Sequence, residues 1–135
     1  MKNLFAKITV LTLFLGMTAY SVCQTPDSSA WFKASQIFPG VWCIDDHGSD
    51  IMYLVIGSDS ALLIDTGLGL VHLRDYVKSI TNLPLIVVNT HGHPDHAGAN
   101  YQFEKVYAHK ADFAMISYFS NPDIRRSMAG GANVP

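Results

Sequence analysis

Apolar residues come in short, closely spaced blocks along the middle of this chain, a pattern of strands rather than of long helices. Gly40 to Asp45, Ile51 to Ile56 and Ala61 to Ile64 read as three strands. The breaks between them, Asp46-His47-Gly48-Ser49-Asp50 and Gly57-Ser58-Asp59-Ser60, carry turn residues and are short enough for hairpins. Because the apolar runs are continuous rather than alternating, the strands are expected to be covered on both faces. From Val71 to Ile80 the spacing changes: Val71, Tyr76, Val77 and Ile80 can share one helix face while Arg74, Asp75 and Lys78 stay in water. Pro84 closes that connection, and Leu85 to Asn89 follows as a buried strand. A short helix at Tyr101-Gln102-Phe103, a strand at Val106-Tyr107-Ala108 and a helix from about Ala111 to Tyr118 complete a mixed α/β pattern without repeats.

The two ends differ from this middle. Lys2 and Lys7 flank the start of an apolar stretch, Ile8 to Ala19, that is too short to span a bilayer and suits the hydrophobic region of a secretory signal. Residues 1–21 are therefore expected to be a signal peptide, cleaved after Ser21, and the mature protein to be exported, periplasmic or secreted, without a stable membrane span. Lipoprotein processing at Cys23 fits less well, because Tyr20 and Val22 stand where a lipobox wants an aliphatic and a small residue. Residues 22–37, rich in polar and turn residues up to Ser35, read as a flexible lead-in, leaving 38–135 as the folded domain. The tail Gly130 to Pro135 has the composition of a loop cut open.

Composition narrows the classes. The net charge is −2 with no basic block, which excludes the electrostatic footprint of a nucleic-acid binder. Cys23 and Cys43 are the two cysteines, too few for a disulfide framework, and Cys43 within Val41-Trp42-Cys43-Ile44 reads as a small buried apolar side chain.

The chemistry is concentrated in Thr90-His91-Gly92-His93-Pro94-Asp95-His96, directly after the strand at Leu85 to Asn89. In a looped segment His91 and His93, two residues apart, can present ring nitrogens to one ion. Gly92 and Pro94 favour a rigid loop there. A chain turning into a helix after Pro94 would send Asp95 and His96 elsewhere, which suggests two neighbouring metal positions. Imidazole and carboxylate donors without a thiolate suit zinc, with iron or manganese an option at the second position. His47, His72 and His109 stand alone and read as surface or structural residues, although His47 lies in a turn that could reach the rim of a site.

The string His-x-His-x-Asp-His, preceded by Leu85-Ile86-Val87-Val88-Asn89 and by Leu62-Leu63-Ile64-Asp65-Thr66-Gly67, resembles the metallo-β-lactamase superfamily of hydrolases over about Phe38 to Tyr118. The resemblance implies the N-terminal half of a four-layer αββα sandwich. It makes His91 and His93 ligands of a first zinc, Asp95 and His96 ligands of a second, and Asp65 a buried carboxylate beside the metal site. Gly98-Ala99 departs from the two glycines that many members carry. The activity implied is that of an exported zinc-dependent hydrolase acting on a small molecule, in which metal-bound hydroxide, oriented by Asp95, attacks a β-lactam or other ester or amide carbonyl. Two alternatives are a thioesterase resembling glyoxalase II, whose usual cytosolic setting conflicts with a signal peptide, and an inactive truncated remnant that binds metal weakly. By the resemblance, the remaining ligands would belong to a second half, so this chain alone is expected to be catalytically silent.

Overall fold

The structure, a computed structural model, describes residues 28–128; the expected signal peptide, Cys23 and the C-terminal tail lie outside that range. Five strands form one sheet in the order of the chain: β1 (Phe32–Phe38), β2 (Val41–Asp46), β3 (Ile51–Ile56), β4 (Ala61–Ile64) and β5 (Leu85–Val88). The first four run antiparallel, and β5 joins β4 in parallel after a crossover through the helix α2 (Leu73–Ile80). The three strands expected from Gly40 onward and the one expected from Leu85 are all present, each within a residue or so of its expected bounds.

Part of the expected lead-in is folded. Ser28–Trp31 makes one helical turn, α1, and Phe32–Phe38 is the sheet's edge strand, paired with β2 from Phe32↔Asp46 to Phe38↔Val41. The polar composition hid this strand because most of its side chains stay exposed, while Trp31 and Phe32 bury the N-terminal end. Sheet hydrogen bonds, rather than apolar content, hold an edge strand of this kind.

Registers sort the side chains onto two faces. Ile44, Met52, Leu54, Leu63 and Val87 lie on one face and are fully buried against Leu73 and Val77 of α2. At about 1.5–3 kcal/mol for each such side chain removed from water, this layer is the main source of stability. The helix therefore packs through Leu73 and Val77, one turn apart, whereas Val71 is buried just ahead of it. The opposite face carries Ile51, Tyr53 and Ile86, each more than a third exposed. Among the described residues its strands are thus covered on one face only, and the apolar residues on the other side produced the continuous runs that suggested cover on both.

After β5 come α3 (Pro94–Ala97), a 3₁₀ turn at Asn100–Gln102, and α4 (Phe113–Phe119), itself preceded by a 3₁₀ turn at Lys110–Asp112. Val106 to Ala108 forms no full strand; Tyr107 bridges Val88 at the sheet edge. A further helix, α5 (Pro122–Met128), starts with proline in its first turn, where the missing N–H costs nothing, and with the Asn121 side chain accepting from Asp123 N. Among the described residues, no helix is long and apolar enough to cross a membrane.

One carboxylate belongs to the core. Asp46, 1% exposed, accepts from the Trp31 indole and from Leu68 N, tying α1 and the loop after β4 to the end of β2. Burial pushes its carboxyl above the ordinary 3.8; the bonds from Leu68 and Trp31 oppose the shift, the neighbouring Asp45 adds to it and His47 opposes it. A folded-state value above the unfolded one contributes stability that is present below pH 3.8 and is lost as pH rises through the folded value. Asp46→Asn removes that dependence, so the stability of the variant relative to wild type should improve from about pH 4 upward and level off once pH has passed the folded value. Urea midpoints of both proteins at a series of pH values check this, and a constant difference would refute it.

Candidate metal centre

Three ends of chain meet at one edge of the sheet. The C-terminal end of β5 delivers Asn89, Thr90 and the histidine loop; the C-terminal end of β4 delivers Asp65; the β2–β3 turn delivers Asp50. That turn is tight. Ser49 N donates to Asp46 O and Asp46 N to Asp50 O, both at 2.9 Å, with positive φ at His47 and Gly48.

Asp65 is the organising residue. It is 4% exposed and adopts φ +65, a left-handed conformation that aspartate tolerates better than most residues. Its Oδ1 accepts from Thr90 N at 2.7 Å and its Oδ2 from the Thr90 hydroxyl at 2.7 Å. His96 Nδ1 lies 3.1 Å from the same Oδ2. With its proton donated to Asp65, the Thr90 hydroxyl can only accept, and the ring atom facing it is His91 Nδ1 at 3.0 Å. One buried carboxylate thereby favours an Nδ1–H tautomer on both imidazoles, directly on His96 and through Thr90 on His91, which leaves each Nε2 unprotonated, that of His91 facing His93 Nδ1 at 3.1 Å.

Backbone bonds fix the loop as well. The His96 carbonyl accepts from Thr66 N at 2.8 Å and from Asn89 Nδ2 at 3.0 Å. Asn100 braces this knot by donating to Asn89 Oδ1 and accepting from Thr66 Oγ1. α3 then turns away behind Pro94, with His96 N and Ala97 N bonded to the His93 carbonyl.

His91 and His93 come together as the spacing predicts, with His91 Nε2 and His93 Nδ1 3.1 Å apart. His96 departs from the expectation: its ring packs on His91 with centroids 4.1 Å apart, so the helical turn returns it to the same cluster. Asp95 is 43% exposed, its Oδ2 3.8 Å from His96 Nε2. His47 stacks on Trp31 at 4.4 Å, His72 is exposed beside α2, and His109 accepts from Ala111 N.

Asp50, Thr90, Asn89 and Asn100 were not singled out in the sequence. Thr90 could have been, as the hydroxyl residue adjoining the first histidine; Asp50 looked like one more turn residue. Its side chain is 9% exposed, and its Oδ2 is buried 3.5 Å from His96 Nδ1 without a hydrogen bond. Burial raises its carboxyl above the ordinary range, opposed by the Ile51 N–H and by His96 and reinforced by Asp65 and Asp95.

The donor set suits zinc in part. Nitrogens about 2.1 Å from a tetrahedral zinc stand about 3.4 Å apart, close to the 3.1 Å between His91 and His93. Among the described residues, no three His, Cys, Asp or Glu side chains are grouped so as to hold an ion.

Residues 47–111 match the family model of the metallo-beta-lactamase superfamily. The acyl-coenzyme A thioesterase MBLAC2 of Homo sapiens is 29% identical, over 75% of this chain and 46% of its own length. Its Gallus gallus counterpart is 34% identical over 64% of this chain and 36% of its own length. The chain thus spans half the length of these curated relatives or less. Among solved structures, a metallo beta lactamase from Erythrobacter litoralis superposes with a TM-score of 0.55 at 22% identity, covering 66% of this chain and 46% of that one. FIM-1 from Pseudomonas aeruginosa, in its mono-zinc form, gives 0.54 at 19% identity over 65% and 46%. At these identities the structures speak for the fold alone; in sequence the chain is similar to the metallo-beta-lactamase superfamily over residues 47–111.

Proposed function

We propose that this chain carries the histidine-loop part of the active site of a zinc-dependent hydrolase that cleaves an acyl carbonyl, with a thioester as the favoured substrate class. The observation that carries the reading is the Asp65–Thr90–His91 and Asp65–His96 arrangement, which prepares two Nε2 lone pairs beside His93. A buried carboxylate oriented by three donors, serving no strand or helix, is the support that ligating imidazoles ordinarily have. The thioester preference comes from the curated relatives, which are described as acyl-coenzyme A thioesterases. β-Lactam cleavage is the second reading, favoured by the superposed lactamase structures.

In this reading His91 and His93 hold a first zinc, and His96 and Asp95 a second ion, either zinc or, with its carboxylate, iron or manganese. Zinc when bound supplies a Lewis acid and lowers the pKa of a bound water towards about 7. The residues do the rest. Asp65 and Thr90 keep the protons of His91 and His96 on Nδ1, and the half-exposed Asp95 offers an oxygen on the solvent side to orient a nucleophile and accept its proton. Further ligands are proposed to come from outside the described residues.

The test is equilibrium dialysis against zinc, followed by metal analysis, on the protein carrying this chain and on its His91→Ala and His93→Ala variants. Zinc affinity should fall by at least the about 10–100-fold that loss of an outer partner costs. Hydrolysis of an acyl-coenzyme A, a glutathione thioester and a chromogenic cephalosporin separates the substrate readings. Unchanged zinc content in His91→Ala would refute the assignment.

A further inference from the structure

Asp50 Oδ2 is a buried carboxylate oxygen for which the structure supplies no hydrogen-bond donor. Leaving such an atom unsatisfied is costly enough that buried polar atoms almost always have a partner within reach. The donor-capable atom recorded beside it is His96 Nδ1 at 3.5 Å, while Asp65 Oδ2 stands 3.1 Å from that same nitrogen. Asp65 has other donors, two from Thr90, and does not depend on His96; Asp50 Oδ2 has none. The two side chains are 9% and 5% exposed, so bulk solvent screens the carboxylates and the ring little. Like charges placed together in this way need a shared donor between them.

We infer that Asp50 is a positioning residue for His96, sharing its Nδ1–H with Asp65. The hydrogen bond is divided between the two carboxylates, and a ring movement of a few tenths of an ångström moves it from one to the other. Asp50 is placed for this by the β2–β3 turn, where its carbonyl accepts from Asp46 N. Held from two sides, the ring keeps Nε2 directed to the side where Asp95 lies. The use of that Nε2 by a metal rests on the function proposed above; the sharing of the Nδ1 proton does not.

The experiment is therefore done on zinc-free protein, by long-range ¹H–¹⁵N NMR of histidine-labelled chain at a pH where the imidazoles are neutral. Wild type should show His96 protonated on Nδ1, with that proton exchanging slowly with solvent. Asp50→Ala should speed its exchange by about tenfold or more, while Asp65 keeps the tautomer Nδ1–H. Asp50→Leu, close to aspartate in shape, should do the same and serves if the alanine variant fails to fold. Asp50→Asn keeps an acceptor oxygen and should restore slow exchange. The inference is overturned if folded Ala and Leu variants keep wild-type exchange, or if Asn is as fast as Ala, since the acceptor would then not matter. Zinc-binding results leave this outcome untouched, so the two proposals fail separately.

Discussion

Asp65→Ala is expected to destabilise the chain by about 3–5 kcal/mol and to disorder the histidine loop. The estimate is that for removing one partner of a buried charged hydrogen-bond network. Thr90 N and the Thr90 hydroxyl would both lose their acceptor, and His96 would lose its closer carboxylate. A second cost comes from the backbone, since φ +65 is tolerated by aspartate and asparagine far better than by alanine. Asp65→Asn separates the two: it keeps the conformation and one acceptor oxygen while losing the charge, and should fall between wild type and Asp65→Ala. Denaturant unfolding of the three proteins, followed through Trp31 and Trp42, measures the differences. A loss under about 1 kcal/mol in Asp65→Ala would show that the carboxylate is not what holds the loop.

Much of this arrangement is legible in the amino-acid sequence. The strand blocks were readable because β2, β3 and β4 are central, and these and the edge strand β5 carry apolar residues on both faces, Leu62 and Ile64 as well as Ala61 and Leu63 in β4. β1 was not, since an edge strand of sequence Phe-Lys-Ala-Ser-Gln-Ile-Phe is held by its ladder to β2, and ladder hydrogen bonds leave no mark on composition. Leu73 was missed as a core residue of α2 because the apolar face was anchored on Val71, which lies two residues before the helix. At the site, His91, His93, Asp95, His96 and Asp65 announce themselves by residue type and spacing. What spacing could not convey is the return of His96 onto His91, set by the bonds that Thr66 and Asn89 make to the His96 carbonyl. Nor could it convey Asp50, which is 46 positions from His96 in the chain and reaches it only because the β2–β3 turn closes over the same sheet edge.

Gly98→Val is expected to cost about 3 kcal/mol, at the upper end of the range for overpacking, and to carry its effect into the site. Backbone conformation is not the obstacle, since Gly98 sits at φ −64 and ψ −36, open to any residue. Space is: a Cβ there would run into the Leu68 carbonyl and stand 2.6 Å from Pro94 O, and these are backbone atoms that cannot swing aside. Two chain segments meet at this point, the loop after β4 and the end of α3, joined by Gly98 N donating to Gly67 O at 2.8 Å. Arg125 covers the contact from α5, donating to the Gly98 carbonyl and stacking over Tyr101. Forcing the segments apart strains the Thr66–His96 carbonyl bond two residues away, so the variant should lose the His96 Nδ1–H signature along with stability. The neighbouring position behaves differently. Ala99 is fully buried with room for its methyl group, so Ala99→Gly should cost only about 1 kcal/mol and leave His96 in place. Comparing both variants by unfolding midpoint and by the His96 resonances decides the matter: equal, small effects at the two positions would mean that the close approach at Gly98 is not what seats the histidine loop.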